Sequence, residues 1–112
     1  MIPIQEVDIY SDNNIKISAH VIVPNTDMAA AEAIIYDPNY NELYSAYQTI
    51  GQYPTAIAAF EAIVLASNKY IAKSGGNITR INNPCNTEFV NEVEQQNIIS
   101  SHSIDVSIEV NA

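Results

Sequence analysis

The sequence predicts a single α+β domain over residues 1–112, in which a mainly antiparallel sheet carries three to four helices on one face. Three observations lead to this fold class. Apolar and polar residues alternate near both ends of the chain, which is typical of strands with one buried face. The middle of the chain has apolar residues at helical spacing. A length of 112 residues suffices for one domain with one core.

The two ends of the chain predict the sheet. Residues 15–23 alternate between apolar and mostly polar side chains, and residues 4–10 do so more weakly. Between them, Ser11-Asp12-Asn13-Asn14 supplies turn residues that tolerate positive φ, so the two segments should form a hairpin. Near the C-terminus, residues 103–110 alternate in the same way. We expect them to form a further strand of the same sheet.

The central region predicts the helices. Helical spacing or composition indicates four segments, at residues 28–36, 38–51, 54–73 and 87–96. Asn25 and Asp27 offer capping oxygens for the first segment, and Gly51 fits a C-terminal cap for the second. Gly75-Gly76 should end the third segment, which is the longest. Residues 77–82 favour a short strand.

The net charge of the chain limits the classes of macromolecule that it is expected to bind. Thirteen Asp and Glu oppose four Lys and Arg, which gives a net charge of −9. A surface of this sign repels phosphates, because proteins that bind nucleic acid or anionic lipid use Lys and Arg. Direct nucleic-acid binding and membrane binding are therefore not expected. The acidic surface has two interpretations, namely solubility or attraction to a basic protein.

The residues that carry most catalysis and metal binding are scarce. Cys85 is the single cysteine, and His20 and His102 are the only histidines, so neither a disulfide framework nor a clustered metal site is indicated. No base stands beside a nucleophile in the sequence. We therefore expect no enzymatic activity and no cofactor. Acidic residues at the N-terminus argue against a signal peptide, which favours a cytoplasmic protein.

Acidic side chains are the strongest candidates for a functional surface. Four of them should lie on the polar face of the predicted sheet, namely Glu6, Asp8, Asp105 and Glu109. Glu88 and Glu92 would form a second cluster on the last helix. Regularly spaced acids can stand in for a nucleic-acid backbone. The sequence therefore favours a non-enzymatic inhibitor, of the type made by phages and mobile elements, that blocks a basic nucleic-acid-binding surface of another protein.

Two other functions remain open. The chain could be a structural subunit of a homo-oligomeric assembly such as a virion, with Tyr40, Tyr44 and Tyr47 at the interface, since tyrosine suits interfaces. Alternatively it could be a small-ligand binding domain with a pocket between helices and sheet. No residue in the sequence argues specifically for the second of these alternatives.

Overall fold

A computed structural model describes residues 4–38, 45–84 and 89–111, without the side chains of residues 45–48. The elements in chain order are β1 (Ile4–Ser11), β2 (Lys16–Asn25), β3 (Met28–Tyr36), β4 (Ser45–Tyr53), α1 (Ala56–Lys73), β5 (Ile78–Asn83), α2 (Glu92–Ser101) and β6 (Ile108–Val110). The six strands form one sheet in the order β4-β3-β2-β1-β5-β6. The prediction of an α+β domain is confirmed, but the sheet is mixed because β6 pairs with β5 in parallel.

The N-terminal hairpin forms as the sequence predicts. β1 and β2 pair antiparallel with Ile9 opposite Ile17, and Asn14 in the turn has a φ of 68°. The short strand near residue 77 is also present, as β5, which pairs antiparallel with β1. The C-terminal strand is much shorter than predicted. Its observed extent is Ile108–Val110, and Ile104 instead donates its N–H to the Ile99 carbonyl, where α2 ends.

The helix predicted at residues 28–36 is wrong, since this segment is β3. Ala29, Ala31 and Ala33 are buried while the intervening side chains are half-buried, which is the period of a strand. Alanine favours helices in isolation, but pairing with the whole length of β2 overrides that preference. The predicted capping oxygen has another role, because Asn25 Oδ1 accepts from the Asp27 N–H at 2.9 Å in the β2–β3 turn.

The helix predicted at residues 38–51 is wrong over its described part. Residues 45–53 form β4, which pairs antiparallel with β3, and residues 39–44 lie outside the described chain. Gly51 lies within this strand opposite Ala31 and does not cap a helix. Tyr, Thr and Ile favour strands, so the same residues fit β4 once β3 is present as a template. The described residues therefore contain two helices rather than three to four.

The longest predicted helix is confirmed as α1. The Thr55 hydroxyl caps it by accepting from the Ala58 N–H at 3.1 Å, and the chain leaves it through Gly75 at a φ of +84°. The last helix starts later than predicted, at Glu92. Asn91 and Glu94 form a reciprocal capping box there, which fixes the first turn.

Both helices pack on the same face of the sheet and enclose one core. α1 lies across β2, β3 and β4, while α2 packs beside α1 and β6. Ile17, Val21, Ile104 and Ile108 belong to one buried cluster, as the alternating patterns predict. The core is completed by aliphatic side chains of the inner sheet face and by Phe60, Ile63, Val64 and Ile71 of α1.

Candidate functional site

The side of the sheet opposite the described helices carries a surface of mixed polar and apolar side chains. No described element packs against it, and alternate residues of the strands point towards it. We call this surface the open face. Its members are Ile4, Glu6, Asp8, Tyr10, Lys16, Ser18, His20, Ile22, Ala30, Glu32, Ile34, Tyr36, Arg80, Asn82 and Glu109. Most are half-buried, whereas Ile4 and Tyr36 expose 46% and 41% of their surface.

The open face gathers some of the predicted acids but not all. Glu6 and Asp8 lie on β1, and Glu109 lies on β6 opposite Asn82 of β5. Asp105 is not on this face, because residues 104–107 form an irregular link before β6. It lines a separate polar cavity instead. Glu32 joins the open face and was missed by the sequence analysis, because β3 was predicted to be a helix.

The remaining predicted residues are dispersed. Glu92 is exposed in the first turn of α2, on the helical side of the molecule. Glu88 lies outside the described residues, as do Tyr40 and Tyr44. Tyr47 occupies a backbone position in β4 opposite Ile34. Of the four acids predicted for the sheet face, the structure therefore places Glu6, Asp8 and Glu109 there but not Asp105.

Two of the four basic side chains of the protein lie on the open face, around Tyr10. The Lys16 ammonium is 5.7 Å from the centre of the Tyr10 ring, and the Arg80 guanidinium is 5.1 Å from it. Arg80 Nε also donates to Glu109 Oε2 at 2.7 Å, and this contact raises the pKa of Arg80. The open face thus has a basic row at Tyr10 and excess negative charge elsewhere.

The negative charge is concentrated in a row across β1, β2 and β3. Glu6 stands opposite His20, which in turn stands opposite Glu32. His20 Nε2 is 3.9 Å from Glu6 Oε1. Partial burial raises the pKa of Glu6, and the neighbouring carboxyl of Asp8 raises it further through a hydrogen bond and charge repulsion. Glu6 consequently holds a proton more readily than an ordinary glutamate.

Asp8 and Asn82 are the unusual members of the open face. They are direct cross-strand partners on β1 and β5, and each is only 5% exposed. Asp8 Oδ1 and Asn82 Oδ1 are buried, and neither oxygen has a hydrogen-bond partner among the described residues. Buried polar atoms are paired in the great majority of protein structures. Two buried acceptors side by side without partners are therefore unusual, and each of them destabilises the fold.

A cavity of about 280 Å³ lies between α1 and the sheet, on the helical side. Its lining is largely apolar and includes the small side chains of Ala33 and Ala66. Near it, the Tyr70 hydroxyl donates to Asp37 Oδ2 at 2.8 Å. This cavity is the observation that favours the small-ligand alternative.

A second, more polar cavity lies near the end of α2. Asp105, Ser103 and His102 contribute to its lining, and its volume is about 420 Å³. His102 Nε2 is 3.0 Å from Glu61 Oε2, which ties the end of α2 to α1. Across residues 4–38, 45–84 and 89–111, no three His, Cys, Asp or Glu side chains are placed to hold a metal ion.

None of the described helices has the length and apolar character needed to cross a membrane. In comparisons with known proteins, no family model matches this chain, and no curated protein or solved structure matches it significantly.

Proposed function

We propose that this chain is a non-enzymatic binding protein whose open face binds a basic surface of another protein. We further propose that it acts as an inhibitor, by occupying a surface with which its partner binds nucleic acid, and that it does so in the cytoplasm. The single observation that carries the proposal is a six-stranded sheet with both described helices on one side. The other side presents aliphatic, aromatic and acidic groups together.

The composition of the open face supports a protein partner. Ile4, Ile22 and Ile34 provide apolar contact area beside Glu6 and Glu32. An interface of this kind combines an apolar centre with charges that steer a partner of opposite sign. The net charge of −9 extends that attraction over the whole molecule.

The distribution of charge supports contact with a basic protein surface more than imitation of a phosphate backbone. A phosphate mimic needs evenly spaced, unneutralised acids. Arg80 neutralises Glu109 at 2.7 Å, and Asp105 lies away from the open face. The other acids of this face form a compact patch around Glu6, Asp8 and Glu32. Inhibition would then result from steric and electrostatic exclusion of nucleic acid.

The test is a pull-down from the source cell with a matched pair of double variants. Glu6→Lys/Glu32→Lys reverses two acids of the open face, while Glu92→Lys/Asp105→Lys makes the same change of charge on the helical side. We expect the natural protein and the second variant to capture a basic nucleic-acid-binding protein at low salt, and the first variant to lose it. Added DNA should displace the captured protein. Equal loss in both variants, with both folded by circular dichroism, would contradict the open-face proposal.

A homo-oligomer is the second candidate, and the edges of the sheet favour it. β6 is a short edge of three residues that carries a charge, which is how natural sheets protect an edge. β4, the opposite edge, has nine residues and none is charged. A second copy pairing along β4 would continue the sheet. Light scattering should then show a salt-tolerant dimer that Thr49→Lys converts to monomer, whereas a monomer at all salt concentrations excludes this candidate.

A further inference from the structure

The unpaired oxygens of Asp8 and Asn82 identify the point on the open face where a donor is missing. The carboxylate and the amide occupy opposed positions on adjacent antiparallel strands. Side chains in that relationship have Cβ atoms about 4.5 to 5.5 Å apart. Each residue is 5% exposed, so water has little access to the two oxygens. Within residues 4–38, 45–84 and 89–111, the free protein therefore holds two desolvated acceptors without a donor.

None of the neighbouring residues that the structure describes donates a hydrogen bond to either oxygen. Ser18 stands opposite Asp8 on β2, and Glu109 stands opposite Asn82 on β6. Arg80, the closest cation in the register, directs its Nε to Glu109 and packs over Tyr10. Glu6, the adjacent acid on β1, shares a hydrogen bond with the Asp8 carboxyl, but Asp8 Oδ1 itself has no partner among the described residues. The surroundings are thus rich in acceptors, and they favour a cationic donor that arrives from outside.

We propose that Asp8 and Asn82 form a receptor for an arginine side chain of the protein partner. This inference rests on the proposed function, because it names the group that the open face recognises. A guanidinium is planar and carries five N–H donors in a fixed fork, so it can donate to two acceptors on adjacent strands at once. A lysine ammonium is a more strongly hydrated point charge and loses more on entering a nearly buried site.

The energetic consequence is a conflict between stability and binding at these two positions. A buried acceptor without a donor destabilises the free protein, and replacing it with an apolar group of similar size removes that penalty. The same replacement removes the receptor. Asp8→Leu and Asn82→Leu should therefore raise the melting temperature of the free protein and abolish recognition of arginine. If either residue had only a structural role, its replacement would lower both the melting temperature and the recognition of arginine.

The experiment uses argininamide as the probe, so it does not require the partner. Backbone amide shifts of the natural protein would be followed by NMR during titration with argininamide, with lysinamide, and with sodium chloride at equal ionic strength. We expect saturable shifts around Asp8 and Asn82 with argininamide, and at least a tenfold weaker affinity for lysinamide. Asp8→Leu and Asn82→Leu should lose the saturable shifts, while the control Asp27→Leu, in the exposed β2–β3 turn, should retain them.

Three results would contradict the proposal that Asp8 and Asn82 form an arginine receptor. A lower melting temperature for Asn82→Leu would mean that the Asn82 amide turns its N–H group to Asp8 and the two side chains satisfy each other. Equal responses to argininamide, lysinamide and sodium would indicate general cation attraction. An absence of saturable shifts would show that no site exists. The pull-down tests the proposed function separately. If argininamide binds but no basic protein is captured, the proposed function is refuted and the arginine receptor is not.

Discussion

Gln5 of β1 donates from Nε2 to Asn83 Oδ1 of β5 at 3.0 Å, inside the core and 78 residues apart in the chain. The bond belongs to a buried amide cluster that also includes Gln95 of α2. Gln95 and Asn83 exchange two hydrogen bonds, at 2.8 and 2.9 Å. Gln5 Oε1 accepts from the N–H groups of Phe89 and Val90. The cluster joins β1, β5 and the start of α2 through paired polar groups.

Replacing Gln5 with methionine should destabilise the protein strongly. The volume is nearly preserved, but the backbone N–H groups of Phe89 and Val90 lose their acceptor in a site where Gln5 is only 1% exposed. Each buried group left unpaired costs about 1 to 3 kcal/mol, so we expect a loss of about 3 kcal/mol or more in urea unfolding. Gln52→Met at an exposed position is the control. An unchanged unfolding free energy for Gln5→Met would refute the importance of the cluster.

Glu6→Gln should stabilise the protein at neutral pH. Burial and the neighbouring Asp8 raise the pKa of Glu6 in the folded state above its ordinary value of 4.5. Its contribution to stability is therefore complete below pH 4.5 and is lost as pH rises through the folded-state pKa. Melting temperatures of Glu6→Gln and natural protein should differ at pH 7 and converge below pH 4.5. Asp105→Asn, at an exposed position away from the open face, is the control for removal of one negative charge.

Asp12→Asn should have the opposite pH dependence. Asp12 Oδ1 accepts from the Asn77 N–H at 2.9 Å, and this bond, with a second from the Asn77 side chain, lowers the pKa of Asp12. A depressed pKa stabilises the fold above the ordinary value of 3.8, and that contribution is lost as pH falls through the folded-state pKa. The variant should be less stable at pH 7, and the difference should narrow below pH 3.8. Asp27→Asn in the exposed β2–β3 turn controls for charge.

Ala66→Leu should test the cavity between α1 and the sheet. Ala66 is exposed and lines the space of about 280 Å³, and leucine is a good helix former with a side chain long enough to extend into it. Filling a cavity of this kind commonly adds about 0.5 to 2 kcal/mol to stability. If the protein binds a small ligand in this cavity, compounds that raise the melting temperature of the natural protein should fail to raise that of Ala66→Leu.

The sequence by itself determined those elements for which the hydrophobic pattern and the flanking turn or capping residues indicate the same structure. Residues 15–23 alternate strongly and Ser11-Asp12-Asn13-Asn14 supplies the turn, so the hairpin follows from the sequence. The helix at 56–73 combines a capping Thr55 with a continuous apolar stripe and a terminal Gly75. The net charge of −9 depends on composition alone, and with it the prediction that phosphate-bearing partners are repelled.

Tertiary structure decided the remaining elements. Ala-rich β3 and Tyr-containing β4 fit either secondary structure locally. β3 forms a strand because β2 offers N–H and C=O groups along its length, and β3 offers the same groups to β4. That pairing carried Glu32 to the open face, while the end of α2 took residues 104–107 out of the sheet and Asp105 with them. Sequence spacing shows on which face a side chain lies only once the segment is known to be a helix or a strand. The juxtaposition of Asp8 with Asn82, 74 residues later in the chain, depended on strand pairing that no local pattern encodes.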